Sequence, residues 1–235
     1  MLPSFEYPQY DINVPSLKKN YKFRPFLVKE EKLLLMAKET GNEKDILSSI
    51  KQIIDNCIIS KDLSTDKMSL FDLEYIFLKL RSFSIDNIVK VSYRDFEDNK
   101  VYTFEINLDD IEIIFPENSD NVVKISDKTG ITMKYPPASL YGDQEFLNLE
   151  KDQMFELIIR CIDSIYNDDE IYMAKDYKKE ELEQFLENLN LKVFEGIQKF
   201  LLNVPKIEHV IKYKNELGND REIILSSLND FFTFR

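Results

Sequence analysis

One histidine and several groups of carboxylates are the residues of this chain whose types could do chemistry. His209 is the only histidine, so any Ser-His-Asp or Cys-His arrangement would have to pass through it. It lies in an alternating, strand-like pattern, which is typical of a histidine packed between strands or at an interface. The sequence contains no nucleophile elbow, zinc-protease helix or Walker loop. Nucleophilic catalysis is therefore not indicated, and no catalytic residue is predicted.

The carboxylates could act in pairs as general acid and base, as they do in glycosidases. Each of three groups lies in a predicted turn or at a polar boundary, where solvated carboxylates are expected. The first group also resembles a calcium loop, but Lys100 and Ile106 stand where that loop needs Gly and Glu. A carboxylate-dependent hydrolase acting on cell-wall sugars stays as an alternative. The groups are Asp95, Glu97 and Asp98; Asp109 and Asp110; and Asp168, Asp169 and Glu170.

The two cysteines point to packing rather than to a metal site. Cys57 and Cys161 are far apart in the sequence, and each lies within an apolar helical pattern. A zinc site needs about four closely arranged ligands, which two cysteines and His209 cannot supply without carboxylates. We therefore expect reduced thiols in the core, and we predict neither a metal nor a cofactor.

The charge of the chain argues against nucleic acid as a main partner. It has 31 Lys and Arg against 43 Asp and Glu, a net charge of −12, whereas phosphate backbones are generally bound by a basic surface. A basic and aromatic stretch at residues 18–24 leaves three alternatives open: docking onto an acidic protein surface, an ordinary strand edge, or nucleic-acid binding. The longest apolar runs are about five residues, too short to span a bilayer. The first residues do not resemble a cleavable export signal.

Hydrophobic periodicity predicts an α+β fold, with an N-terminal helical unit, a central antiparallel β insert, and C-terminal helices closed by a β-hairpin. The predicted division is an extended arm or strand at 1–27, a helical unit at 28–87, the β insert at 88–137, and a helical unit with the terminal hairpin at 138–235. Whether residues 28–235 form one composite domain is left open.

Several local signals support this division. Ser69 and Asp72 form a capping-box-like pair at the start of the third helix. The polar stretch 95–100 predicts the turn of a hairpin, and residues 111–115 are expected to continue that hairpin. After the proline pair, Asp152 is expected to cap another helix. The apolar residues of that helix are predicted to be Met154, Ile158, Cys161 and Ile165.

Several stretches taken together, in their order and spacing, resemble the baseplate hub and hub-assembly family of T-even-like contractile-tailed bacteriophages. The resemblance spans about residues 10 to 232. The stretches are Phe23 to Lys32, Phe71 to Tyr75 with Leu78 to Arg81, Asn107 to Ile111, Lys134 and Tyr135 before Pro136, and Leu228 to Phe232.

The resemblance implies a non-catalytic role in building the central hub of the tail baseplate. It also implies other hub or wedge proteins as partners, with a homo-oligomer left open, and a location in the virion and in the host cytoplasm during assembly. A transient hub-assembly factor that is absent from the finished particle is the alternative. Some relatives carry cysteine pairs resembling a zinc ribbon in the central hairpin, but residues 93–103 have no cysteine, so a metal role does not carry over.

Two segments are predicted to contact neighbouring hub subunits, namely residues 21–26 and residues 229–234. Aromatic side chains on edge-like strands are suited to this, since a strand edge can take up a partner strand through main-chain hydrogen bonds. Core packing is the alternative for both segments. The residues predicted to bind a partner are Tyr21, Phe23, Arg24, Phe26, Asp230, Phe231 and Phe232.

Overall fold

The computed structural model separates into two compact units. Unit 1 comprises residues 1–114 and 206–235, and unit 2 comprises residues 115–205. The structure describes residues 6–40, 43–117, 120–143, 146, 148–149 and 153–231.

Unit 1 opens with a β-hairpin and three helices. The strands β1 (Tyr10–Val14) and β2 (Lys19–Phe23) pair in antiparallel fashion. The helices α1 (Val28–Thr40), α2 (Glu43–Cys57) and α3 (Leu70–Ser84) follow at the positions that the apolar periodicity predicts.

The start of α3 confirms the predicted capping pair. The Asp72 carboxylate accepts a hydrogen bond from the backbone N–H of Ser69 at 3.0 Å, which satisfies a donor at the helix N-terminus. Its other oxygen accepts from the backbone N–H of Ser16 at 2.9 Å. Asp72 is fully buried, so one carboxylate both begins the helix and ties the first hairpin to it.

The remaining strands of unit 1 form two separate antiparallel pairings. The predicted hairpin is present as β3 (Ile88–Arg94) and β4 (Val101–Asn107). The strand β5 (Glu112–Ile114) does not continue it, because Ile113 pairs instead with Ile207. That expectation was wrong: a short turn at 108–110 redirects the chain after β4.

The described residues of unit 2 form a four-stranded antiparallel sheet and three α-helices. The strands β6 (Val122–Lys124), β7 (Thr129–Met133), β8 (Ile162–Asn167) and β9 (Glu170–Met173) lie in this order across the sheet. The helices are α4 (Gln153–Cys161), α5 (Lys179–Glu187) and α6 (Leu191–Leu202).

The helix predicted through Ile165 is shorter than expected. It ends at Cys161, and β8 begins at the next residue. Because β8 pairs on both sides, with β7 and with β9, the hydrogen bonds of two neighbouring strands override the helical spacing of Ile165. Asp152, the predicted cap, lies outside the described residues.

The chain returns to unit 1 through the predicted closing hairpin. Its strands are β10 (Lys206–Lys214) and β11 (Asp220–Leu225), followed by a short helix α7 (Leu228–Phe231). The strand β10 lies between β5 and β11.

The mixture of helices and antiparallel sheets confirms the predicted α+β class. The strands of residues 88–137 are antiparallel, but they belong to different sheets. The division at residues 28, 88 and 138 stays a prediction. Among the described residues, no helix is long and apolar enough to cross a membrane.

Candidate docking site

Two hairpin turns of unit 1 carry the candidate site. Residues 95–100 join β3 to β4, and residues 215–219 join β10 to β11; we call them the paired tips. Asn99 in the first turn has a φ of 63° and Gly218 in the second a φ of 85°. These positive φ values suit Asn and Gly, which enter left-handed backbone conformations most readily. The polar sequences predicted these turns, and the structure confirms them.

Asp95 connects the two hairpins. Its side chain is fully buried, and its Oδ2 accepts hydrogen bonds from Tyr213 Oη at 2.5 Å and from Arg221 Nε at 3.1 Å, both in the second hairpin. Its Oδ1 accepts from the backbone N–H of Glu97 at 2.7 Å. A buried carboxylate needs such partners, so Asp95 fixes the second hairpin against the first turn.

The next two acidic residues add further bonds between the tips. Glu97 accepts hydrogen bonds from the side-chain amides of Asn215 and Asn219, the latter at 2.9 Å. Asp98 Oδ2 accepts from the backbone N–H of Glu216 at 3.1 Å. The expectation that the first carboxylate group consists of solvated turn residues was therefore wrong. These carboxylates connect the two hairpins.

The protonation states favour the same role. The hydrogen bond from Tyr213, assisted by the charge of Arg221, holds the pKa of Asp95 below its ordinary value. Burial, together with this hydrogen bond, raises the pKa of Tyr213 to about 12. At neutral pH the carboxylate is therefore ionised and the phenol protonated, which is the combination that the hydrogen bond between them requires.

Each of the paired tips also presents an apolar side chain to solvent. Phe96 is 84% exposed and Leu217 is 62% exposed. The ring of Phe96 lies perpendicular to that of Tyr93, with a centroid distance of 6.0 Å. Apolar surface that a scaffold holds in place is suited to contact with another protein. The sequence prediction missed both, although an apolar residue in the middle of a polar turn is a visible signal.

The second carboxylate group lies apart from the first, and the third lies in unit 2. Asp109 follows β4 and accepts from Ser82 Oγ at 2.6 Å. It lies at the far end of this seven-residue strand from Asp95, a separation of about 20 Å at the usual strand rise. Asp168 belongs to unit 2, where it forms an ion pair with Lys128 at 2.8 Å.

The predicted N-terminal binding segment is packed into unit 1. Tyr21, Phe23 and Phe26 are all buried. The outward backbone groups of Lys22 in β2 are already bonded, since its N–H donates to Ser60 Oγ at 2.9 Å and its carbonyl accepts from Ile59 N–H at 2.8 Å. A partner strand would find these groups occupied, and contact through this segment stays a prediction.

Arg24 in the same segment forms a buried ion pair. Its Nη2 lies 2.9 Å from Glu30 Oε1, with the two side chains 15% and 0% exposed. The backbone N–H of Leu27 donates to Glu30 Oε2 at 2.9 Å. Burial disfavours the charge of Glu30, but these hydrogen bonds outweigh burial and hold its pKa below the ordinary value.

The predicted C-terminal binding segment is also part of unit 1. Phe231 is 1% exposed. Asp230 Oδ2 accepts from the backbone N–H groups of Ser226 and Ser227, each at 2.9 Å, and thereby caps the short helix α7. Phe232 lies outside the described residues. Partner contact through this segment stays a prediction.

The cysteines are core residues, as predicted. Cys57 and Cys161 are free and buried, and burial raises the pKa of each thiol to about 12, which makes them poor nucleophiles. His209 lies in β10 opposite Leu225. Within the described parts of the chain, no cluster of three or more His, Cys, Asp or Glu is placed to hold a metal ion.

Comparison with known protein families finds a match over nearly the whole chain. The family model described as T4 bacteriophage base plate protein matches residues 7–233. The chain belongs to this family. Membership makes it a bacteriophage baseplate protein, located in the tail baseplate of the virion and interacting with other phage proteins. No curated protein and no solved structure matches the chain.

Proposed function

We propose that this baseplate protein is a non-catalytic structural component of the central hub, and that it docks onto neighbouring baseplate proteins through the paired tips. The observation that carries the proposal is the exposure of Phe96 and Leu217 on turns that are fixed by hydrogen bonds between the two hairpins. A partner that covers these side chains removes apolar surface from water without first having to order a loop.

The absence of a catalytic role is part of this proposal. What supports it is the use of the first carboxylate group, in which Asp95 and Glu97 accept hydrogen bonds that hold the hairpins together. The purified chain should therefore clear no cell-wall substrate in a zymogram. Clearing that disappears when a single Asp or Glu is changed would instead favour the hydrolase alternative.

The decisive experiment compares two surface variants in infected cells. The double variant Phe96→Ser and Leu217→Ser should fold normally, since exposed substitutions usually change stability by less than about 0.5 kcal/mol. It should lose co-purification with baseplate proteins and lower the phage yield. Val28→Ser is the matched control, because Val28 is 88% exposed and also lies in unit 1. Equal partner recovery with the double variant and the wild type would refute docking through the paired tips.

The same cells distinguish a hub subunit from a transient assembly factor. We expect copies of the chain in the host cytoplasm during assembly and in the finished particle. If the chain remains in the hub, peptide mass spectrometry of purified phage particles should detect it. Its absence from particles, together with partner binding in lysates, would favour the assembly factor.

A further inference from the structure

A groove in unit 2 lies between the edge strand β6 and the helix α6. It has a volume of about 540 Å³, which is within the range of ligand-binding clefts. Apolar side chains of both elements line it, among them Val123, Val193 and Phe200. The groove is therefore bounded by a strand on one side and a helix on the other, with apolar side chains from both.

The strand β6 offers unused backbone groups at this groove. It is an edge strand, and the N–H of Ile125 donates to the carbonyl of Thr129 on the β7 side at 2.9 Å. Because antiparallel pairing alternates, Val122 and Lys124 direct their N–H and C=O groups away from β7. Asp120 accepts from the N–H of Val122 at 3.2 Å. The N–H and C=O of Lys124 have no described hydrogen-bond partner.

The helix side of the groove lacks a side chain at one turn. Gly196 lies in the middle of α6, and a Cβ atom built there would lie 3.2 Å from Val123 Cγ1. The glycine therefore allows the helix to lie close to β6, and it leaves that turn of the groove wall without a side chain. Lys192 and Lys199 stand on either side of Gly196 along the groove.

The charge of the groove is opposite to that of its surroundings. Unit 2 has 10 Lys and Arg against 18 Asp and Glu, a net charge of −8. Lys124, Lys192 and Lys199 nevertheless line the groove and are exposed. In the described part of the chain, none of the three has a carboxylate within ion-pair distance, whereas Lys128, Lys179 and Lys206 each form an ion pair. Asp120 and Glu117 lie at one end of the groove.

We propose that this groove receives an extended, acidic peptide segment of another protein. The segment pairs with β6 as an added strand, using the N–H and C=O of Lys124, while its apolar side chains rest on Val123 and Phe200. Its carboxylates lie against Lys192 and Lys199. Main-chain pairing of this kind supplies affinity, and the alternating side chains supply specificity. That the segment comes from a neighbouring baseplate protein rests on the proposed function, whereas binding of the peptide does not.

A labelled peptide tests the groove directly. The probe is a nine-residue peptide with Glu or Val at every second position and Ser between them, so that the Glu and Val side chains share one strand face. Its binding to the full chain is measured by fluorescence anisotropy, with the same peptide carrying Lys in place of Glu and a twelve-residue oligothymidine as comparisons. The Glu and Val peptide should bind with a dissociation constant below about 1 mM. The double variant Lys192→Glu and Lys199→Glu should weaken it at least about tenfold, since both favourable charge contacts become repulsive.

The matched control changes the same number of charges elsewhere in unit 2. Lys134→Glu with Lys175→Glu should alter the dissociation constant less than about twofold, because neither residue lines the groove. Equal loss in the two double variants would mean general electrostatic attraction and would overturn the proposal. Should the groove variant fail to fold by circular dichroism, Lys192→Gln with Lys199→Gln takes its place.

A second measurement addresses strand addition. Hydrogen exchange at the Lys124 amide should slow at least about tenfold when the peptide saturates the protein, and a peptide N-methylated at alternate residues should not bind. Unchanged exchange at Lys124, absence of saturable peptide binding, or tighter binding of oligothymidine would each overturn the proposal. The Phe96→Ser and Leu217→Ser variant should bind the peptide like the wild type, so failure of the groove and failure of the paired tips are distinguishable.

Discussion

The ion pair between Arg24 and Glu30 gives the sharpest test of how the N-terminal segment acts. We expect Arg24→Met to destabilise the chain, because it leaves a carboxylate that is 0% exposed without its guanidinium partner. Removing one member of a buried pair typically costs about 3–5 kcal/mol. The lower end applies here, since Lys29 Nζ lies 3.6 Å from Glu30 Oε1 and Leu27 N–H still donates to it. The expected loss is about 3 kcal/mol in the free energy of unfolding.

Urea unfolding at pH 7, followed by far-ultraviolet circular dichroism, measures this loss. The double variant Arg24→Met and Glu30→Met should recover most of it, because apolar side chains can replace a buried ion pair at little cost. Lys19→Met is the matched control: Lys19 pairs with Asp62 at 2.6 Å, but both side chains are more than half exposed. Replacing this exposed cation should leave the unfolding midpoint unchanged.

The pH dependence of the Arg24→Met effect provides an internal check. The pKa of Glu30 is lower in the folded chain than its ordinary value of 4.5, so the stabilisation is present above pH 4.5 and is lost as the pH falls through the folded pKa. The difference between wild type and Arg24→Met should therefore shrink in acid. A variant that unfolds at the wild-type urea concentration yet loses its baseplate partners would refute this reasoning and favour Arg24 as a docking residue.

Three further predictions concern other buried positions. Burial, together with the nearby charge of Asp230, raises the pKa of Glu74 to about 7. Between about pH 4.5 and 7 the folded state therefore binds more protons than the unfolded state, and the free energy of unfolding falls by up to about 3 kcal/mol as the pH rises through this window. Urea midpoints measured across this pH range should show the fall in the wild type and not in Glu74→Gln. Gly130→Ala should cost about 1–3 kcal/mol in thermal unfolding because the new methyl group meets the ring of Tyr166, and adding Tyr166→Ala should relieve part of that cost. Ser69→Ala should cost about 1 kcal/mol in urea unfolding, through loss of its part in the N-terminal cap of α3.

Where local signals agree with one another, the sequence is sufficient to predict the fold. The helix α3 has both a capping pair, Ser69 with Asp72, and a continuous apolar stripe, so nothing distant is needed to place it. The hairpin of β3 and β4 combines alternating side chains with a polar turn that contains Asn99 in a left-handed conformation. In both cases the determining contacts join residues that are close in the chain.

Where the decisive contact is distant in the chain, the sequence pattern misleads. Ile113 alternates like the hairpin before it, yet its pairing partner Ile207 lies on the far side of unit 2 in the sequence. Ile165 fits the apolar spacing of α4, yet the strands on both sides of β8 determine its conformation. Alternation and helical spacing identify buried faces, but they do not identify which strand will supply the hydrogen bonds.

The aromatic and basic pattern pointed away from the candidate site for a related reason. Aromatic residues next to basic ones suggested a contact surface in residues 21–26, whereas the structure buries Tyr21 and Phe23 and exposes Phe96 and Leu217. Exposure of a turn residue depends on what the turn packs against. Here the packing is supplied by the second hairpin, whose turn lies more than one hundred residues later in the chain.

The two proposed contacts should respond to salt in opposite ways. Docking through Phe96 and Leu217 depends on removing apolar side chains from water, and added salt does not weaken that contribution. Peptide binding at Lys192 and Lys199 depends on exposed charges, whose attraction is screened within about 8 Å at physiological ionic strength. Recovery of partners from lysates at rising salt therefore reports which contact dominates. A partner that the wild type retains at high salt, but that the Phe96→Ser and Leu217→Ser variant loses, binds at the paired tips. A partner that high salt releases from both the wild type and this variant binds at the groove.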